Sequence, residues 1–211
     1  MEVRTGECVE CPSQGAELRG QEILTQHLSL RPINLCDEGA VAAVCRIFRE
    51  PATWTHLPAA RPADDDSVRQ YLAGHVRSWH ESGLGWWFIS VRQPPFGDEV
   101  IGIGGCALTR PDIQAWNLGY RLSPAVWGHG YATEVARAGL GAAVILSELP
   151  VTARVLERNP ASYRVLDKLG LRLVWQGDVI SDDPLTGGLA RRIYADRELE
   201  PGLLDQLIRL G

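Results

Sequence analysis

The sequence predicts an α/β (α+β) sandwich built on a mixed sheet, and three observations carry that reading. β-rich runs form a meander in the first half, strands alternate with helices in the second, and a glycine-rich turn after Leu122 joins a strand to a long helix. A chain of 211 residues that is 45% hydrophobic can bury one good core, so a single globular unit is expected.

Residues 1 to about 25 are polar, contain Gly and lack periodicity, and they read as a flexible N-terminal extension. Order is expected to begin near Leu28, where Leu28 to Ile33 alternates apolar and polar residues like an edge strand that tolerates Pro32. Asp37 is placed to cap a helix whose apolar residues Ala40, Val41, Val44 and Phe48 recur at helical spacing. The acidic run Asp64 to Asp66 suits the positive end of a second helix, which continues through Val68, Tyr71, Leu72, His75, Val76 and Trp79 and stops near Gly83. Trp86 to Val91 and Val100 to Leu108 then read as neighbouring antiparallel strands around a turn at Pro94 to Asp98.

Trp116 to Leu122 is a further strand, followed by a helix from about Ala132 to Ser147. Its inner face of Ala136, Gly139, Leu140 and Ala143 is small enough to lie close to a sheet. Val151 to Leu156 is a β-branched strand, Asn159 to Lys168 a short helix, Leu171 to Trp175 a strand, and Leu189 to Ala195 a final strand. Residues 26–197 form the expected domain. Residues 198–211 carry a short amphipathic helix through Leu203, Leu204, Leu207 and Leu210, suited to dock on the domain or on a second subunit, which leaves a homodimer open.

Composition narrows the function. No run of eighteen uncharged apolar residues occurs, and the first twenty residues lack the basic-then-apolar order of a signal peptide, so a cytoplasmic protein without a membrane partner is expected. A net charge of −5 argues against nucleic acid as a bulk partner, since binding it needs a concentrated basic surface. The five cysteines are odd in number and read as reduced thiols. Cys8 and Cys11 form a C-x-x-C pair, but no second ligand pair follows, so no metal is expected and a mobile tail is the simpler reading.

Leu118 to Glu134 carries the chemistry. It runs strand, turn, glycine loop, helix: Gly128 and Gly130 free the backbone to aim successive N–H groups at one point, and the following helix brings its orphan donors and positive dipole end to the same place. That is a seat for an anion such as a pyrophosphate. A plain tight turn explains G-x-G equally well, and the spacings of dinucleotide-binding and P-loop motifs are absent. The second segment is Asn159 to Leu171: Asn159 as N-cap, Pro160 at the first helical position, Val165, Leu166 and Leu169 facing the core, Lys168 in the last turn and Gly170 as the stop.

Together these phrases resemble the cofactor core of the GNAT superfamily of N-acetyltransferases. The family's acetyl-CoA loop, Q/R-x-x-G-x-G/A, corresponds to Trp127-Gly128-His129-Gly130-Tyr131-Ala132; the aromatic at 127 departs from that general pattern but is similar to the branch of ribosomal-protein alanine N-acetyltransferases, whose phrase runs close to LGY-x-L-x-P-x-x-W-G-x-G-Y-A-T-E. The resemblance covers residues 28 to about 195. It implies a mostly antiparallel mixed central sheet of about six to seven strands, flanked by helices and opened into a V between the strands carrying Leu118 to Leu122 and Val151 to Leu156. It implies acetyl-CoA as co-substrate, with Tyr120, Leu122, Trp127, Gly128, His129, Gly130, Tyr131, Ala132, Thr133, Asn159 and Ser162 as its contacts; Asn159 serves as cap, as cofactor contact, or as both.

The implied reaction is direct attack of a neutral primary amine on the acetyl thioester, the carbonyl being held by backbone groups near Tyr120 to Leu122. A base must deprotonate the incoming ammonium and an acid can protonate the leaving thiolate. The family's usual Tyr acid corresponds to Leu166 here, so Ser162 is the catalytic candidate for that role, with water as the alternative. The Glu often found before the Leu-Gly-Tyr phrase is Asn117, which leaves His75, His80, Glu81 and His129 as weaker base candidates. Such a site favours amines that are already partly neutral: an α-amine of pKa about 8 is ~10% neutral at pH 7, against ~1 in 2,500 for lysine, a difference of roughly 3 kcal/mol. The acceptor is thus a protein N-terminus or a small-molecule amine, with Trp54, Trp79, Trp86, Trp87 and Trp116 as candidates to line its pocket or to form core. A non-catalytic acyl-CoA-binding or sensing module on the same scaffold is the alternative, and a purely structural domain a third reading.

Overall fold

The computed structural model describes residues 20–110, 112–179 and 187–210. One eight-stranded sheet organises them, in the order β1-β2-β3-β4-β5-β6-β8-β7. The strands are β1 (Ile23–Leu24), β2 (Leu28–Pro32), β3 (Trp86–Val91), β4 (Val100–Arg110), β5 (Ile113–Leu122), β6 (Val151–Leu156), β7 (Arg172–Asp178) and β8 (Ala190–Ala195). Five α-helices flank it: α1 (Glu38–Arg49), α2 (Asp65–Ser82), α3 (Tyr131–Leu146), α4 (Pro160–Lys168) and α5 (Pro201–Arg209). All neighbours are antiparallel except β5 and β6, which the crossover through α3 makes parallel.

The expected caps are where the sequence places them. Asp37 accepts from the Ala40 N–H at 3.0 Å and Asp64 from the Ser67 N–H at 2.8 Å, each satisfying an orphan donor of a first helical turn. Gly83 ends α2 at φ 74°, and Gly170 ends α4 at φ 80°, where the N–H of Leu171 reaches back to the Leu166 carbonyl.

Two expectations are corrected. Order begins before Leu28: Ile23 and Leu24 pair with Leu30 and Ser29, so residues expected in the extension are strand and β2 is not at the edge. Adding β1 brings the sheet to eight strands rather than six or seven. The rest of the proposed extension, with Cys8 and Cys11, lies outside the described residues. The last strand in sequence, β8, sits between β6 and β7 and leaves β7 as the sheet's edge.

Side chains alternate across each strand and divide the core by face. On one face α3 and α4 cover Trp87, Ile89, Cys106, Trp116, Leu118, Leu122, Val151, Ala153 and Leu166. On the other, α1 and α2 cover Ile33, Trp54, Trp86, Phe88 and Ile103, and α5 covers Ile113, Ala115 and Ile193. Helix α3 comes close because its inner face is small: a Cβ at Gly139 would stand 3.1 Å from the Gly105 carbonyl carbon. Among the described residues no helix is long and apolar enough to cross a membrane.

Candidate active site

The site begins where β5 and β6 part. They pair only at Trp116 with Val151 and at Asn117 with Thr152, and beyond those positions no register joins them. Trp116 donates its N–H to the Pro150 carbonyl at 2.9 Å, and its own carbonyl accepts from Thr152 Oγ1 at 2.9 Å. Strand alternation therefore aims the Leu118 carbonyl and the backbone groups of Tyr120 and Leu122 into the opening, the Leu118 N–H being taken up in the pairing of Asn117 with Thr152. The odd residues face β4 instead, as Ser123 shows by donating to the Ile101 carbonyl. The result is a V-shaped gap edged by backbone donors and acceptors that have lost their strand partner.

The glycine loop closes one end of this gap. Gly128 and Gly130 stand at φ 84° and 83°, and a Cβ at either would meet nothing within 4 Å, so conformation rather than space selects glycine there. Among the described residues, the N–H groups of Gly128, His129, Gly130, Tyr131 and Ala132 have no intramolecular acceptor, whereas those of Thr133 and Glu134 return to the Gly130 carbonyl at 3.0 and 3.1 Å. Five successive free donors at the head of α3 form an anion seat. Thr133 can add only its side chain.

The neighbouring side chains brace that seat. Trp127 is 52% exposed and donates Nε1 to the Leu122 carbonyl at 3.0 Å, which leaves the Leu122 N–H for the gap. His129 turns Nδ1 back to the carbonyls of Val126 and Trp127 and stacks on Tyr131, with ring centroids 5.6 Å apart. Glu134, which the sequence reading placed in the motif without a role, accepts from Thr25 Oγ1 (2.6 Å), the His27 N–H (2.7 Å) and His27 Nδ1 (2.8 Å). Burial raises its pKa, and these three hydrogen bonds outweigh that and hold the carboxyl below its ordinary range.

Across the gap, Asn159 caps α4 through a 3.3 Å bond from the Ser162 N–H. The Tyr120 hydroxyl donates to the Ser162 carbonyl at 3.1 Å and lies 3.2 Å from Ser162 Oγ. Burial pushes this phenol up to about 12, against the lowering effect of Ser162. Sequence reasoning counted Tyr120 for its backbone alone; its hydroxyl meets a residue 42 positions away, for which no local signal exists. Leu166 is 2% exposed in the core.

The opposite mouth of the gap is aromatic. Trp86 stacks on His75 at 4.3 Å, Tyr71 stands edge-on to both at 6.0 and 5.0 Å, and Phe48 packs against Tyr71 and Trp54. Burial lowers the His75 pKa to about 4, so the imidazole is neutral near pH 7 and a weak base. His80 and Glu81 are exposed on α2. Of the five tryptophans considered for a pocket, Trp54 and Trp86 face this mouth. Trp87 and Trp116 are core on the α3 face, and Trp79 packs edge-on against Trp87. Among the described residues no group of three or more His, Cys, Asp or Glu is arranged to hold a metal ion.

Comparison with known proteins agrees with this geometry. Residues 27–172 match the family model of the acetyltransferase (GNAT) domain. The chain is 24% identical over 156 residues to the uncharacterised Bacillus subtilis protein YkkB, covering 71% of this chain and 84% of that one. Its fold superposes on the ribosomal-protein-S5-alanine acetyltransferase of Vibrio fischeri with a TM-score of 0.65 at 16% identity, over 83% of this chain and 96% of the other. The ribosomal L7/L12 α-N-protein acetyltransferase RimL, solved in complex with coenzyme A, also superposes at 0.65, with 18% identity over 83% and 97% of the two chains. With the family model spanning more than half its length, this chain belongs to the GNAT acetyltransferase family.

Proposed function

We propose that the protein is an acetyl-CoA-dependent N-acetyltransferase that acts on a primary amine, a protein N-terminus or a small molecule, by direct attack. The observation that carries this reading is the pairing of β5 with β6 at two positions only, which leaves the Leu118 carbonyl, the Tyr120 backbone and the Leu122 N–H open beside five free N–H donors at Gly128 to Ala132. In this reading residues 26–197 form the transferase unit. Trp127 to Thr133 hold the pyrophosphate, Asn159 and Ser162 face the pantetheine arm, and the β5 edge holds the thioester carbonyl.

The amine lone pair attacks the carbonyl carbon, forming the C–N bond. The C–S bond then breaks, the electron pair leaves on sulfur, the nitrogen loses its proton to water, and the thiolate is protonated. A phenol at about 12 lies roughly 3.5 pH units above a thiol near 8.5, so proton transfer from Tyr120 to the thiolate is uphill by ~5 kcal/mol. Tyr120 therefore serves as a hydrogen-bond donor to the developing thiolate, its one O–H turning there from the Ser162 carbonyl, with Ser162 Oγ beside it, and solvent supplies the proton. With Asn117 at the vertex and His75 down to about 4, the site has no strong base. Amines of low pKa are the acceptors that suit it.

Calorimetric titration with acetyl-CoA, run beside a thiol-release assay on peptides with free N-termini, polyamines and aminoglycosides, tests this reading. Binding with turnover on one class is expected. Binding without turnover assigns a sensing module instead, and absence of binding removes the proposal.

A further inference from the structure

The acceptor-side mouth holds a cation that no carboxylate among the described residues neutralises. Arg121 follows Tyr120 on β5, so its side chain leaves the face opposite the α3 side, one residue from the edge that frames the thioester. Its guanidinium lies 3.6 Å over the Trp54 ring and 5.1 Å from Phe48, and Nη1 donates to the Thr53 carbonyl. From the far side of the gap, just beyond β6, Arg158 donates Nε to the His56 carbonyl. Thr53, Trp54 and His56 all belong to the connection between α1 and α2, which the two arginines draw over the mouth from opposite strands.

Neither arginine takes part in any ion pair among the described residues, where seven other arginines do. Burial lowers the Arg121 pKa to about 10, and the one group acting against this is the Tyr71 phenol. Burial and the charges of Arg121 and Arg158 together lower His56 to about 4. Positive charge thus gathers at this mouth, with Arg121 half-buried against aromatic walls and Arg158 exposed at the rim, and a partly desolvated cation without a carboxylate is costly. A single carbonyl satisfies one of the five N–H donors of Arg121, and the remaining fork matches a carboxylate. Trp86 adds a buried indole N–H that has no acceptor.

We propose that Arg121, with His56 and Arg158, forms a subsite for a carboxylate carried by the acceptor, so that the preferred substrates are amines bearing a carboxylate near the nitrogen. This rests on the acetyl-transfer reading and narrows its acceptor class. A purely structural role for the two arginines, holding the α1–α2 connection by its carbonyls, makes a different prediction: their loss would slow all acceptors alike.

The test is a panel of amines with a carboxylate two to five bonds from the nitrogen, each paired with its carboxamide. The full-length protein is expected to favour the carboxylate member in kcat/KM by about ten-fold, with the difference mainly in KM. Arg121→Gln should bring that ratio close to one and Arg158→Gln should lower it partly, with the KM for acetyl-CoA unmoved. If Arg121→Gln fails to fold, Arg121→Lys keeps the charge but loses the fork and should still reduce the preference. A wild-type ratio near one, or equal slowing of both members in the variant, overturns the subsite. If no amine is acetylated, the acetyl-transfer reading fails on its own. The subsite is then read by NMR titration of His56 with glutarate, which should raise its pKa from about 4 toward the ordinary imidazole value in wild type and not in Arg121→Gln; an unmoved value overturns it.

Discussion

The two mouths of the gap between β5 and β6 are made from different materials. On the α3 side, the proposed function rests on backbone: glycines at positive φ, five N–H groups without an acceptor among the described residues and a helix end, all within Gly128 to Ala132. On the α1–α2 side it rests on side chains brought from four distant places: Phe48 to His56, Tyr71 to Trp86, Arg121 and Arg158. A phosphate-binding seat needs only local conformation, so a short phrase encodes it, whereas a pocket that chooses among amines must be assembled by the fold.

Substitutions can sharpen this contrast. The largest effect is expected at a residue belonging to neither mouth. Leu166→Ala empties a fully buried position and should cost about 3 kcal/mol in urea unfolding, with little change in either KM for the folded fraction. A loss of kcat without loss of stability would return Leu166 to the site.

Gly119→Ala comes next. A Cβ there would stand 2.4 Å from the Trp86 ring, which is boxed in on the acceptor side, so about 2 kcal/mol of stability should go and the KM for the amine should rise more than that for acetyl-CoA. Gly130→Ala meets no atom and strains only φ, so it should act the opposite way, weakening acetyl-CoA binding through misdirected N–H groups. Equal effects of the two substitutions on both substrates would break the division between the mouths.

Tyr120→Phe removes one hydroxyl at the junction. It should lower kcat about ten-fold, the loss of one hydrogen bond to a developing charge, and leave acetyl-CoA affinity within about two-fold. A fall in affinity with kcat preserved would make Tyr120 a binding residue.

The smallest effect concerns pH. Because the folded-state pKa of Glu134 is depressed, its contribution is present above the ordinary carboxylate pKa and is lost as pH falls through the lower folded value. Calorimetry should show acetyl-CoA binding weakening below about pH 4.5 in wild type, as the tie between α3 and Thr25 and His27 loosens. Glu134→Gln should be weaker throughout and flat in that range; an identical profile would remove Glu134 from the account.

The sequence by itself determined the caps Asp37 and Asp64, the stops Gly83 and Gly170, the small inner face of α3 and the glycine loop, because each follows from a residue's own conformational preference or from short-range periodicity. Even the family was legible in the two phrases Leu118 to Glu134 and Asn159 to Leu171. Tertiary structure alone decided the pairing of Ile23 and Leu24 with β2, the insertion of β8 between β6 and β7, the meeting of Tyr120 with Ser162, and the anchoring of Glu134 to Thr25 and His27. It also brought Arg121 and Arg158 to one connection. These contacts join residues tens of positions apart, and no local preference of one partner names the other, so only the packed chain selects them.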